Sequence, residues 1–261
     1  MLAARNPPTD LAPDVMVVPA RRRFETRTDW LESHHSFSFG PHYDPANTHH
    51  GLLVVNNDDV VASGAGFDTH PHRDMEVVTW VLEGSLVHQD STGQTGVVYP
   101  GLAQRMSAGS GVWHSERNDS WRLDDSAPHA DPVHFVQMWV VPDDASAEPG
   151  YQQTEVGGLL APGALVTLAS GRPEHRETAA VRIAQRHAAL HVARLRATDH
   201  VVLPTAPYLH VFVARGSVDL EGVGRLHRGD AARITVSQGQ RVTGTSDAEV
   251  LVWEMHATVA A

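Results

Sequence analysis

The chain has 261 residues, 41% hydrophobic and 20% charged, with a formal net charge of -11; that length suits one large domain or two ordinary ones, each burying its own core. The acidic balance argues against direct nucleic-acid binding, which needs a concentrated basic patch to neutralise phosphates. No cysteine or lysine is present, which excludes disulfides, thiolate ligands, cysteine nucleophiles and Schiff-base chemistry and leaves any metal to nitrogen and oxygen donors.

Residues 1–14, with Pro7, Pro8 and Pro13, read as a flexible lead-in without the basic start and apolar core of a signal peptide. No apolar run has the length of a membrane span, and the expectation is a cytoplasmic protein with no membrane contact. A first strand is expected around Val15 to Pro19, and Arg21, Arg22 and Arg23 read as a solvated strand end or turn.

From Trp30 to Asp44, Ser36 and Ser38 alternate with Phe37 and Phe39 as in a half-buried strand. His34 and His35 are adjacent and would point to opposite strand faces, which makes them poor partners for one ion; His49 and His50 read the same way. Leu52 to Val55 and Val60 to Ala62 flank Asn56-Asn57-Asp58-Asp59, which reads as a hairpin turn.

The stretch from Gly66 to Asn118 carries the chemistry. His70-Pro71-His72 and His114-Ser115-Glu116 each place two donors two residues apart, hence on one face of a strand and roughly 7 Å apart along it. If these strands are neighbours in one barrel, three imidazoles and one carboxylate converge with other coordination positions open, a pattern suited to a metal ion. Glu76 has the parity of His70 and His72 and competes with Glu116 as the carboxylate, provided the strand runs on without a bulge. Val77 to Leu82 and Ser85 to Gln89 read as strands about the Glu83-Gly84 turn. Gly109 and Gly111 form a bend into the second cluster, and His134 to Val141 closes the first half with Gln137 and Trp139 on one face and Val136 and Met138 on the other.

Asp143 to Gly150, acidic and proline-bearing, reads as a linker. The expected division is a first domain over 15–142, a linker over 143–150 and a second domain over 151–261. Short strands recur there at Leu190 to Leu195, Val201 to Leu203, Leu209 to Val213, Val218 to Leu220 and Val250 to Glu254, as in a β-barrel or sandwich. Laying Glu83-Gly84-Ser85-Leu86 on Arg215-Gly216-Ser217-Val218 puts Val202 and Pro204 at the places of His70 and His72, so the second half is read as a partner without that site. His210 and His256 are expected to be core or surface residues.

These motifs resemble the pirin family, whose members are bicupins. The resemblance rests on His35-Ser36-Phe37-Ser38-Phe39-Gly40 with Tyr43-Asp44-Pro45, His70-Pro71-His72-Arg73, Leu82-Glu83-Gly84, His88-Gln89-Asp90, and Ser107-Ala108-Gly109-Ser110-Gly111 leading to His114-Ser115-Glu116. It covers most of residues 30 to 141, and the second half matches as a degenerate cupin. The resemblance implies an all-β fold of two tandem antiparallel, jelly-roll-like cupin barrels, and one divalent ion held by His70, His72, His114 and Glu116. Iron(II) is the usual ion of the family, while manganese, cobalt, nickel, copper or zinc would also suit neutral imidazole and carboxylate donors.

The resemblance further implies a dioxygenase of the quercetin 2,3-dioxygenase type, opening flavonols with O₂ and releasing carbon monoxide, with Glu116 also serving as general base toward the substrate's 3-hydroxyl. The alternative it carries is a non-enzymatic, metal-dependent regulator acting through protein contacts. A zinc-dependent cupin isomerase is a third possibility, without the lysine such sites often use. Gln104 and Met106 are candidate pocket residues by position.

Overall fold

Runs of β-branched and aromatic residues separated by glycine, proline and aspartate build a chain of short strands. The computed structural model describes residues 12–119 and 130–259. Its strands are β1 (Asp14–Val18), β2 (Phe24–Arg27), β3 (Leu31–His35), β4 (Leu53–Val61), β5 (Gly66–His72), β6 (Glu76–Glu83), β7 (Leu86–Asp90), β8 (Thr95–Val98), β9 (Leu102–Ser107), β10 (Val112–Arg117), β11 (Val133–Val140) and β12 (Gly150–Glu155). There follow β13 (Leu165–Ser170), β14 (Val181–Arg182), β15 (Ala188–Leu195), β16 (His200–Val202), β17 (Tyr208–Arg215), β18 (Ser217–Leu220), β19 (Gly224–His227), β20 (Ala231–Thr235), β21 (Arg241–Gly244) and β22 (Ala248–Met255).

Each half combines a seven-stranded with a four-stranded sheet. The first half has the orders β12-β9-β6-β11-β4-β3-β2 and β5-β10-β7-β8; the second has β1-β20-β17-β22-β15-β13-β14 and β16-β21-β18-β19. Two strands are exchanged between the halves. β1 pairs with β20, Asp14 opposite Thr235, and β12 pairs with β9, Gly150 opposite Ser107. Each exchanged strand covers main-chain groups that β9 and β20 would otherwise leave unpaired on one side. The division expected at 142 and 151 is thus one of chain order, while each long sheet takes an edge strand from the other half. The lead-in expected over 1–14 lies outside the described residues as far as residue 11, and Asp14 already begins β1.

The long sheets pack face to face. Val78, Trp80, Leu82, Val136 and Met138 meet Leu190, Val192, Phe212, Leu251 and Trp253 in one buried cluster. Alternate residues of the same strands turn into the barrels: Val81 and Phe135 in the first, Val211, Val213, Val250 and Val252 in the second. Buried on both faces, β6, β17 and β22 therefore read as almost continuous apolar runs.

Three local expectations are corrected. Asn56-Asn57-Asp58-Asp59 is the middle of the unbroken strand β4, because tertiary partners satisfy its polar side chains: His35 for Asn57, Ser33 for Asp59 and His134 for Asp58. The strand before it stops at His35, so Phe37 enters the cluster between the halves while Phe39 faces a cavity in the first barrel. In the second half Leu203, not Val202, turns inward: Leu203 is 2% exposed and Val202 58%. His70 precedes Val77 by one residue more than Leu203 precedes Leu209, its counterpart before the aligned glycine, and that extra residue displaces the alignment by one.

Candidate metal centre

β5 and β10 are hydrogen-bonded neighbours, with His114 directly opposite His70. Their Nε2 atoms lie 3.1 Å apart, and the ring centroids of His70, His72 and His114 are mutually within 4.8 Å. The ring of His70 is oriented by Nδ1, 2.7 Å from the carbonyl oxygen of Asp68. Nε2 of His72 is buried without a hydrogen-bond partner. Such an orphan nitrogen is costly unless something else satisfies it.

The arrangement fits one bound ion. Two donors about 2.1 Å from a metal are roughly 3 Å apart when they lie at right angles, the separation found between the two Nε2 atoms. Burial first, and then the neighbouring imidazoles, lowers the pKa of His72 to about 4 and that of His114 to about 3. Both rings are therefore neutral, with lone pairs available, across the physiological range.

Glu116 is 2% exposed and belongs to an overlapping group with His114 and His88, whose donor atoms lie within 4.8 Å of one another. The register shift between His114 and Glu116 sets this carboxylate beside His114 rather than among all three imidazoles at once. Gln137 Nε2 donates to Glu116 Oε2 at 2.7 Å, and Trp139 Nε1 donates to Gln137 Oε1 at 3.0 Å. His88, stacked on Tyr151 and 3.1 Å from Asp90, backs His114 from the other side.

Glu76 is elsewhere. Asp74, with φ of 50°, breaks the chain between β5 and β6, and the two strands enter different sheets. The parity of His70 and His72 therefore does not carry over. Glu76 accepts from Ser107 Oγ at 2.8 Å, and burial raises its pKa.

A cavity of about 400 Å³ opens onto His70, His72 and Glu116. Leu31, Phe39, Phe67 and Trp139 supply apolar and aromatic wall. Ser33, His35, Asn57 and Asp59 supply a polar one that the sequence reading missed by taking part of it for a turn. The alternation in β3 was a usable signal, since Leu31, Ser33 and His35 share one buried face. Gln104 and Met106 are buried but do not line this cavity.

Fold and site together define a tandem cupin with a histidine-rich centre in its first barrel. The Pirin family profile matches residues 17–140, and that of the quercetinase C-terminal cupin domain matches residues 168–255. A Mycobacterium bovis protein is 56% identical over 238 residues, 91% of this chain and 93% of its own length. The Escherichia coli protein named quercetin 2,3-dioxygenase is 33% identical over 237 residues, covering 90% of this chain and 96% of its own. The crystal structure of the bacterial pirin YhhW from Escherichia coli in complex with nickel(II) superposes with a TM-score of 0.81 at 31% identity, over 94% of this chain and all of that one. The chain belongs to the pirin family.

Proposed function

We propose that the protein is a mononuclear, metal-dependent dioxygenase acting on flavonols or similar enolisable aromatics. The observation that carries the reading is the convergence of His70, His72 and His114 at a cavity that also contains Glu116. The name of the Escherichia coli relative and the nickel-bound pirin neighbour support it. His70, His72 and His114 would hold one divalent ion, iron(II) before manganese, cobalt, nickel, copper or zinc, with Glu116 as the carboxylate donor. When bound, the ion would lower the pKa of the substrate's 3-hydroxyl and supply the redox chemistry toward O₂.

The chain's own residues do the rest. Gln137 donates to Oε2 of Glu116, and a carboxylate that detached from the ion or held it through one oxygen would have an oxygen to receive the 3-hydroxyl proton. Phe39 and Trp139, edge to face with centroids 5.6 Å apart, offer aromatic surface to a planar ring system. The cavity is within the size range of small-molecule sites.

Aerobic incubation of Fe(II)-loaded protein with quercetin should bleach the flavonol absorption band. Metal-free protein should leave the band unchanged, and Glu116→Ala should slow its loss by about 10²-fold or more. Absence of metal-dependent bleaching across several ions and flavonols would overturn the enzymatic reading and favour a regulator acting through protein contacts.

A further inference from the structure

We infer that the second barrel carries its own divalent-metal site, formed by His175, His191 and Glu254. This rests on residues remote in sequence from the first centre and is independent of the activity proposed above. One donor atom from each of the three residues lies within 4.8 Å of the other two, and His191 and Glu254 are buried. His191 comes from β15 and Glu254 from β22, while His175 comes from the short helical turn Pro173–His175.

The internal repeat shows where this cluster sits. With Gly84 laid on Gly216, Trp139 falls on Glu254, because Trp139 pairs with Val77 and Glu254 with Leu209, each seven residues before its glycine. Asn57 then falls on His191, and His35 falls on Thr167. Trp139, Asn57 and His35 all line the cavity of the first barrel. The same register puts Leu203, Gln240 and Val242 where the first barrel has His70, His114 and Glu116. The second barrel has lost donors from one wall of its mouth and gained them on the opposite wall.

The side chains are oriented as metal ligands usually are. His191 Nδ1 bonds Thr167 Oγ1 at 3.1 Å, and His175 Nδ1 bonds Ser170 Oγ at 3.1 Å, which orients both rings through Nδ1. His191 Nε2 is hydrogen-bonded to Glu254 Oε2 at 3.0 Å, a bond that an ion would replace and a spacing that two donors at right angles around a metal would also have. Oε1 of Glu254 is taken by Arg172 and by His256 Nε2 at 2.8 Å, so Oε2 is the oxygen turned toward the imidazoles. A cavity of about 270 Å³ is bordered by Arg172, His187 and His256, and Arg172 and His256 are the residues bonded to Glu254 Oε1. Two imidazoles and one carboxylate suit zinc, nickel, cobalt or iron(II). The charge of Arg172 on the same carboxylate makes this site weaker than the first.

The test uses the full-length protein, stripped with a chelator and titrated with Co(II), which reports its coordination by visible absorption. Wild type should bind two equivalents. A His70→Ala/His114→Ala variant should keep one equivalent with its own spectrum, and adding His175→Ala should raise the Kd of that equivalent at least about tenfold. His175 lies in a partly exposed turn, so the barrel should remain folded, which circular dichroism checks. No binding by the folded His70→Ala/His114→Ala variant, or a residual Co(II) spectrum indifferent to His175→Ala, would overturn the proposal and leave the cluster as an ion-pair network.

Discussion

Asp59 is the residue in which the chemistry of the first cavity is most clearly written. It is 3% exposed, and its carboxylate accepts a hydrogen bond from Ser33. Burial raises its pKa from 3.8 to about 7, and the negative charges of Asp58 and Glu116 add to the effect. The folded protein therefore holds this proton more tightly than the unfolded chain. Its contribution to stability is complete below about pH 4 and is lost as the pH rises through about 7, at a cost of up to about 4 kcal/mol. Asp59→Asn should remove that loss, and urea denaturation at pH 5 and pH 8 should show a smaller stability difference than in wild type. An unchanged pH dependence would mean that Asp59 is ionised throughout. The candidate metal donors were legible at this scale, since pairs two residues apart on strands must share a face; Asp59 was not, because its role depends on Ser33 and Glu116, both distant in sequence.

At the scale of elements, breaks and bulges decide which of the legible residues meet. Glu76 could join the histidines only if the strand of His70 and His72 ran on, and the turn at Asp74 instead sends β5 and β6 into different sheets and takes Glu76 away from the histidines. Glu76→Gln should therefore leave metal content at its wild-type value by elemental analysis. It should change stability by no more than about 1 kcal/mol, because the amide can still accept from Ser107. Metal loss in that variant, with the fold intact, would restore Glu76 as a ligand. β4 teaches the converse. Asn56-Asn57-Asp58-Asp59 has the composition of a turn and the structure of a strand, since β3 and β11 on either side provide partners that local propensity cannot foresee.

For the whole molecule, the exchanged strands β1 and β12 and the cluster between the long sheets bind the two halves together. Trp80 and Trp253 are fully buried in that cluster. Trp253→Ala should cost roughly 3–5 kcal/mol and lower the thermal midpoint of the protein as one transition. Release of metal from the first barrel should follow the same curve although Trp253 lies in the second half. Two separate transitions would show that the halves unfold independently despite the shared strands. Among the described residues no helix is long and apolar enough to cross a membrane.

Alternating apolar and polar residues, punctuated by glycine and proline, were enough to determine an all-β chain with an internal repeat, and the spacing of His70, His72, His114 and Glu116 was enough to nominate a centre. These are local properties, set by the two-residue period of a strand. Tertiary structure alone decided that β5 and β10 are neighbours, that Glu76 faces away, and that each half completes the other's sheet. It also brought His175, His191 and Glu254 together from three separate segments. The physical reason is that sheet pairing joins residues by register across the chain, and a single bulge or turn resets that register without leaving a mark in the local pattern.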